Sequence, residues 1–324
     1  MPNLELLIPS SNTELWELAE QANRFFEAAK APATRKAYAT DIGDYRAFCA
    51  KIGRPFLAPG GQVLALYVAD LARRAMKPAT IARRVAAIAT EYHTAGYRES
   101  PVSSFLVREV LRGVRRTLGT AQERKSPLLL GDIERIVAQS PARLLGLRDR
   151  ALVLFGFALG SRRAELAALE VRDLELTDQG LVVIIRCGKA DEEQRGRQVP
   201  VAFGARPESC PVRALAAWLH AAGIVDGALF RAVDRHGNVS ARQLEPGSIA
   251  RILKKAARRA GMNAAEVAKL GGHSLRSGTA TAAAIAGASE REIAALTGHR
   301  SREVRRYIRD ANLFRASAAG KLGL

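Results

Sequence analysis

LVVIIRCGKADEEQRGRQVPVAF, residues 181–203, decides how the rest of the chain is read. LVVIIRCGK (181–189) and RQVPVAF (197–203) are rich in β-branched residues, and the polar ADEEQRG separates them. That pattern predicts a β-hairpin with a long exposed loop. Outward from it, apolar residues recur at helical spacing: downstream near 211–222, 247–260, 263–270, 276–286, 288–296 and 301–309, upstream near 131–139 and 142–158. The segment from residue 128 to 324 is therefore expected to be a mixed α+β domain with a small antiparallel sheet and a C-terminal tail. GTAQERKSP (119–127) is polar, lacks periodicity and is bounded by Gly and Pro, so it reads as a linker. Residues 1–118 read as a helical domain, with helices near 13–29, 32–53, 61–75, 78–95 and 102–118. Tyr38, Ile42, Tyr45 and Cys49 share one helical face there and are expected in its core. The fold class is mainly α.

The formal net charge is +18, spread along the whole chain rather than held in one tail. A surplus of that size favours an anionic partner, and its spread suits wrapping a polyanion. A genomic preference for arginine would also enrich that residue, but need not raise the net charge. Cys49, Cys187 and Cys210 form no CxxC pair, which fits a reducing compartment and not a disulfide scaffold. The five histidines form no HExxH or other close ligand pair, so no metal is expected. The acidic N-terminal stretch is unlike a signal peptide, and the longest apolar run, 151–160, is too short to span a bilayer. A cytoplasmic protein is expected.

Four separated segments of the second domain carry candidate chemistry. ALGSRRAELAAL (158–169) places Arg162 and Glu165 three apart, the spacing of an ordinary surface ion pair. The hairpin offers Lys189 at a strand end, where an exposed lysine is unremarkable. GGHSLRSGTATAAA (271–284) holds His273 and Arg276, again three apart, before an alanine-rich helix. LTGHRSREVRRYIRD (296–310) holds His299 and Tyr307, the last tyrosine of the chain. Each alone is weak.

In order, they resemble the signature of the tyrosine recombinase (phage integrase) family. G-x-R-x-x-E-L reads Gly160 to Leu166, the hairpin G-K reads Gly188-Lys189, H-x-L-R-S-G reads His273 to Gly278, and T-G-H reads Thr297 to His299, followed by Tyr307. The resemblance covers about residues 128–310, and the N-terminal helices look like the family's core-binding domain. It implies a C-shaped clamp on double-stranded DNA and a site-specific recombinase of the Cre-like or Xer-like kind, working as a homotetramer. The implied chemistry is strand cleavage through a 3′-phosphotyrosine with release of a 5′-hydroxyl.

The residue types suit that chemistry. Two arginines can hold the non-bridging oxygens of a phosphate in bidentate fashion, and Arg162 and Arg276 fit that task. A phenol is a suitable nucleophile because its phosphate ester keeps the bond energy for rejoining. No ATP or other cofactor is then needed, in keeping with the lack of a GxxxxGK[ST] loop. By resemblance, Tyr307 is the nucleophile, Lys189 the general acid, His273 the proton acceptor for Tyr307, His299 a donor to the phosphate, and Glu165 the residue orienting this set. One departure stands out: His299 and Tyr307 are eight residues apart, where the family has nine. Within one helix, a missing residue would turn the phenol by about 100°, so the shortening is expected in the turn before the helix.

Arg83, Arg84, Lys254, Lys255, Arg258 and Arg259 are candidate DNA contacts on helix faces. Two other readings use much the same residues: a type IB topoisomerase-like relaxer of supercoils, and a non-catalytic DNA-binding protein of recombinase descent. The tail, 311–324, is expected to dock on a neighbouring protomer.

Overall fold

A proline at the first turn starts two of the N-terminal helices, where the missing N–H costs nothing. The computed structural model describes residues 13–120, 125–186 and 196–311, and it divides the chain into two units, Met1–Gln122 and Glu123–Leu324. The first holds α1 (Thr13–Ala28), α2 (Pro32–Lys51), α3 (Gln62–Arg73), α4 (Pro78–Thr94) and α5 (Phe105–Leu118). Tyr45, Cys49, Leu64, Tyr67, Leu71, Ile81 and Ile88 form its core, with Ile42 packed at the edge and Tyr38 only half-buried. The helix expected over 102–118 is broken. A short 3₁₀ turn, Pro101–Ser103, comes first, and Ser104 then caps α5 by accepting from the Val107 N–H.

The second unit runs α6 (Leu130–Ala138), α7 (Leu144–Leu159), α8 (Arg163–Ala168), β1 (Leu174–Leu176), β2 (Gly180–Ile185), β3 (Arg197–Ala202), α9 (Pro211–Ala221), β4 (Arg231–Val233), β5 (Val239–Gln243), α10 (Pro246–Arg259), α11 (Ala264–Lys269), α12 (Ser274–Ile285), α13 (Glu290–Thr297) and α14 (Ser301–Ala311). The predicted hairpin is β2–β3, antiparallel, and β1 adds a third strand on the other side of β2. Val183, Ile185, Val199 and Val201 face the core, while Gln198 and Pro200 face out. Pro200 is tolerated because β3 is an edge strand. β4 and β5 form a separate two-stranded sheet.

α7 is the axis of this unit. Ala151, Leu152, Val153, Phe155 and Leu159 are all buried, and a Phe or Leu buried so fully contributes about 1.5–3 kcal/mol. The expected linker ends sooner than residue 127. Ser126 N–H donates to the Lys269 carbonyl, and Lys125 Nζ donates to the Ala268 carbonyl. The backbone from Lys125 is thus already fixed to the second unit. Lys189 with its loop, Cys187 and the tail beyond Ala311 lie outside the described residues.

α12, α13 and α14 pack on a small core of their own, made of Ala280, Ala284, Ile293 and Val304, with Tyr307 and Ile308 against it. The helix that carries Tyr307 therefore sits on a satellite of the main core.

Candidate active site

Two helices end in glycines with left-handed backbone, and both ends point at the same place. α7 is closed by Gly160 (φ 57°) and α13 by Gly298 (φ 64°). A helix C-terminus presents unpaired carbonyls and a partial negative charge. Arg276, 1% exposed, enters between them. Its Nη1 donates to the Gly160 carbonyl at 3.1 Å and also to the Thr297 carbonyl, and its Nε donates to His299 Nε2 at 3.0 Å. Its Nη2 is buried and has no hydrogen-bond partner among the described residues. Burial, followed by the nearby Arg162, lowers its pKa to about 10, so the guanidinium stays charged at neutral pH.

Arg162 is the N-cap of α8, one residue before the helix rather than on it as the spacing suggested. Glu165 reaches back to the Arg162 backbone N–H (3.0 Å) and takes Arg162 Nη1 (2.7 Å). Arg162 Nη2 donates to the Gly298 carbonyl at 3.3 Å. A residue that sequence reasoning missed completes the group: Arg197, the first residue of β3, donates to Glu165 Oε2 at 3.1 Å and to the Leu296 carbonyl at 2.6 Å. Nothing in the sequence marks it, because its partners lie 32 and 99 residues away. Two guanidinium groups thus share one carboxylate, with that of Arg276 nearby.

His273 Nε2 and Tyr307 Oη are 3.2 Å apart, and the Tyr307 ring lies 5.1 Å from the His299 ring. The eight-residue spacing therefore still turns the phenol inward. Only Gly298, His299 and Arg300 separate α13 from α14, so the turn is short and the helix phase is kept. His273 is held below its ordinary pKa, by desolvation first and then by Arg276 and Arg162, with Glu303 opposing. Its edge remains open to solvent, so only the direction of this shift enters the mechanism. His299 is 7% exposed and pushed down to about 3, by burial first and then by Arg276.

The expected role of His299 needs correction. Thr297 Oγ1 donates to the Ile293 carbonyl, which leaves it to accept from His299 Nδ1 at 2.8 Å. The neutral ring then carries its proton on Nδ1, and Nε2 accepts from Arg276. In this arrangement His299 holds Arg276 and donates nothing outward.

The DNA-contact candidates divide. Arg84 is corrected: it is buried, ion-paired with Asp41 and Asp44 and bonded to Tyr67, which places it inside the helical core rather than on a DNA-facing surface. Arg259 is tied to the buried Asp149 at 3.4 Å. Arg83 is bound to Asp41 at 2.6 Å but keeps an exposed side chain. Lys255 and Arg258 are exposed on α10. Lys254 lines a cleft of about 1000 Å³ with Lys125, Arg163 and Arg186, and that cleft reaches Arg162 and His273. Gly271 and Gly272 make room there, since a Cβ on either would meet the stem of Lys125 at 2.9 Å or of Arg163 at 2.6 Å. Among the described residues no cluster of His, Cys, Asp and Glu is arranged to hold a metal ion.

Comparison with known proteins agrees with this geometry. The sequence profile of the phage integrase family matches residues 128–313. An integrase/recombinase xerD homolog of Selenomonas ruminantium is 36% identical over 322 residues, spanning 98% of this chain and 93% of that protein. The tyrosine recombinase XerD of Rhizobium meliloti is 28% identical, over 84% of this chain and 83% of its own. Among solved structures, the Tn1549 transposon integrase in complex with transposon right end DNA superposes with a TM-score of 0.64 at 16% identity, covering 93% of this chain and 98% of that one. A lambda integrase dimer bound to a core site gives 0.58 at 14%, covering 94% and 83%. At such low identity these two structures speak for the fold. The matched profile contains the arginine boxes, the hairpin and Tyr307, and the chain belongs to the phage integrase family of tyrosine recombinases.

Proposed function

We propose that the protein is a site-specific DNA recombinase that cuts and rejoins double-stranded DNA through Tyr307. One observation carries this reading: a phenol within 3.2 Å of a histidine held below its ordinary pKa, beside a buried arginine with an unpaired Nη2. A phosphodiester in that place would accept from Arg276 Nη2 and from Arg162, and would supply the negative charge that three arginines and one glutamate lack.

The Tyr307 hydroxyl donates its proton to His273 Nε2 as its oxygen attacks phosphorus. The bond from phosphorus to the 5′-oxygen breaks, leaving a 3′-phosphotyrosine. Lys189 protonates the departing 5′-oxygen. A 5′-hydroxyl from a second strand then attacks the ester, and the phenol leaves with its proton returned. The number of phosphodiester bonds is conserved, so the reaction runs without ATP. Arg162 and Arg276 hold the non-bridging oxygens, His299 fixes Arg276, and Glu165 fixes Arg162. Lys254, Lys255, Arg258 and Arg83 neutralise flanking phosphates. The working unit is a homotetramer joining two duplexes in the cytoplasm.

The test is to denature the protein in SDS after reaction with a library of duplexes and to sequence the DNA that remains attached. One recurring site, and exchange of strands between two copies of it, is the expected result. Covalent capture at scattered sequences with relaxation of supercoils would point to a topoisomerase instead. No captured DNA at all would point to a binding protein without catalysis.

A further inference from the structure

The last carbonyls of α13 are taken in order by three different arginines. Arg197 Nη1 donates to Leu296 at 2.6 Å, Arg276 Nη1 to Thr297, and Arg162 Nη2 to Gly298 at 3.3 Å. Glu165 ties two of these arginines together, with Oε1 on Arg162 and Oε2 on Arg197. Arg197 is the only one of the three placed on the sheet. It starts β3, eight residues after Lys189 in the sequence. It lies flat against the Gly298 turn, where a Cβ would stand 3.1 Å from its Nε. Neither of its terminal nitrogens faces outward, since both are bonded inside the site.

We infer that Arg197 is a positioning residue of the strand-transfer centre, fixing Glu165 and the end of α13 so that Arg162 and Arg276 converge on one phosphate. This rests on the reading of Arg162 and Arg276 as the phosphate clamp. Without Arg197, Glu165 keeps a single arginine partner and is free to turn. The Leu296 carbonyl loses its donor, and the chain from Leu296 to His299 is no longer fixed on the sheet side. The clamp then loosens at both arginines together. Displacements of about 1 Å at a reacting centre cost on the order of 10²-fold in rate.

The inference is tested in the full chain with Arg197→Gln, Arg197→Lys, Glu165→Gln and the double variant Glu165→Gln/Arg197→Gln. Substrates are nicked duplexes carrying the recovered site, with an ordinary 5′-oxygen or a bridging 5′-sulfur as leaving group. Arg197→Gln is expected to slow covalent attachment by roughly 10²-fold, equally on both leaving groups. DNA affinity should stay within about threefold of wild type, and the slope of log affinity against log salt should not change, whereas loss of a phosphate contact would lower it by about 1. Arg197→Lys keeps one bond and should recover part of the rate; it also carries the test if Arg197→Gln does not fold. The double variant should be no more than about threefold slower than the slower single variant, because both act through one unit. Multiplicative slowing, rescue by the sulfur leaving group, a reduced salt slope or an undiminished rate would each overturn the assignment. If the wild-type protein forms no adduct, the clamp reading itself fails and takes this inference with it. An active wild type with equally active Arg197 variants removes this inference alone.

Discussion

Each unit of this protein gathers arginines around carboxylates, and the two clusters differ in how many carboxylates they hold. In the first unit Arg73, Arg74, Arg83 and Arg84 meet Asp41, Asp44 and Asp70, with Tyr67 bridging, so three carboxylates answer four cations. In the second unit Arg162 and Arg197 share the single carboxylate of Glu165, and Arg276 beside them has no carboxylate partner. The remaining charge is offset by the carbonyl ends of α7 and α13, which carry only a fraction of a unit charge each. The first cluster ties α2, α3 and α4 together. In the second, Arg276 keeps a buried terminal nitrogen with no hydrogen-bond partner among the described residues. The presence of buried arginine separates nothing here; the number of carboxylates beside it does.

The largest effect that would break this contrast is catalytic. Arg276→Gln should slow covalent attachment to DNA by about 10³-fold, the order found when a preorganised donor to a developing charge is removed. Binding to the site should weaken far less, as single-turnover assays and gel shifts on the same preparation would show. A bridging 5′-sulfur should not restore its rate. Lys189→Ala should slow cleavage by roughly 10²-fold or more, and the sulfur substrate should restore it, because a thiolate leaves without a proton. If Lys189→Ala is equally slow on both substrates, the general acid lies elsewhere.

The next effect is on stability and points the other way. Arg84→Gln removes a buried cation shared by Asp41 and Asp44, which keep Arg83 and Arg74, and should cost about 1.5–3 kcal/mol. Arg162→Gln leaves Glu165 still paired with Arg197 and should cost about 1 kcal/mol. Urea denaturation of the first and second units would show whether the order is reversed, which would erase the distinction between a structural and a functional cluster.

The smallest effect is on pH. The fold holds His299 at about 3 against an ordinary 6.5, so between those values the unfolded chain binds more protons than the native one. Stability of the second unit should therefore fall as pH drops from 6.5 towards 3. His299→Asn should flatten that decline in urea midpoints measured at pH 7 and pH 5. An unchanged decline would mean that His299 is protonated in the native protein and is not the acceptor for Arg276.

Much of this was legible in the sequence, for physical reasons that also explain the gaps. Tyr45, Cys49 and the proline-started helices were readable because a helical core face repeats locally. The hairpin was readable because Val183, Ile185, Val199 and Val201 alternate. β1 and β4 are three residues each and too short to alternate, and β5, VSARQ, is mostly polar. The turn between β4 and β5 depends on Asp234 accepting from the N–H groups of His236 and Asn238, which an isolated Asp does not announce. The boxes around Arg162, His273, Arg276, His299 and Tyr307 were found by their order, and the structure brings all five residues together. Arg84 was misjudged and Arg197 missed for one reason: whether an arginine is bound inside or open to DNA depends on partners distant in sequence. His299 was misassigned because its donor or acceptor state is set by Thr297 and Arg276 jointly.

The central claim is that Tyr307 attacks a phosphate held by the undercompensated cluster. It is tested most directly by trapping the protein on a nicked duplex of its own site, which loses the strand needed for rejoining. Wild-type protein should migrate with the DNA in SDS, and a phosphopeptide containing Tyr307 should be recovered after digestion. Tyr307→Phe should bind the same duplex with unchanged affinity and give no such band. A band of equal strength from Tyr307→Phe, or a phosphopeptide from any other residue, would contradict the account.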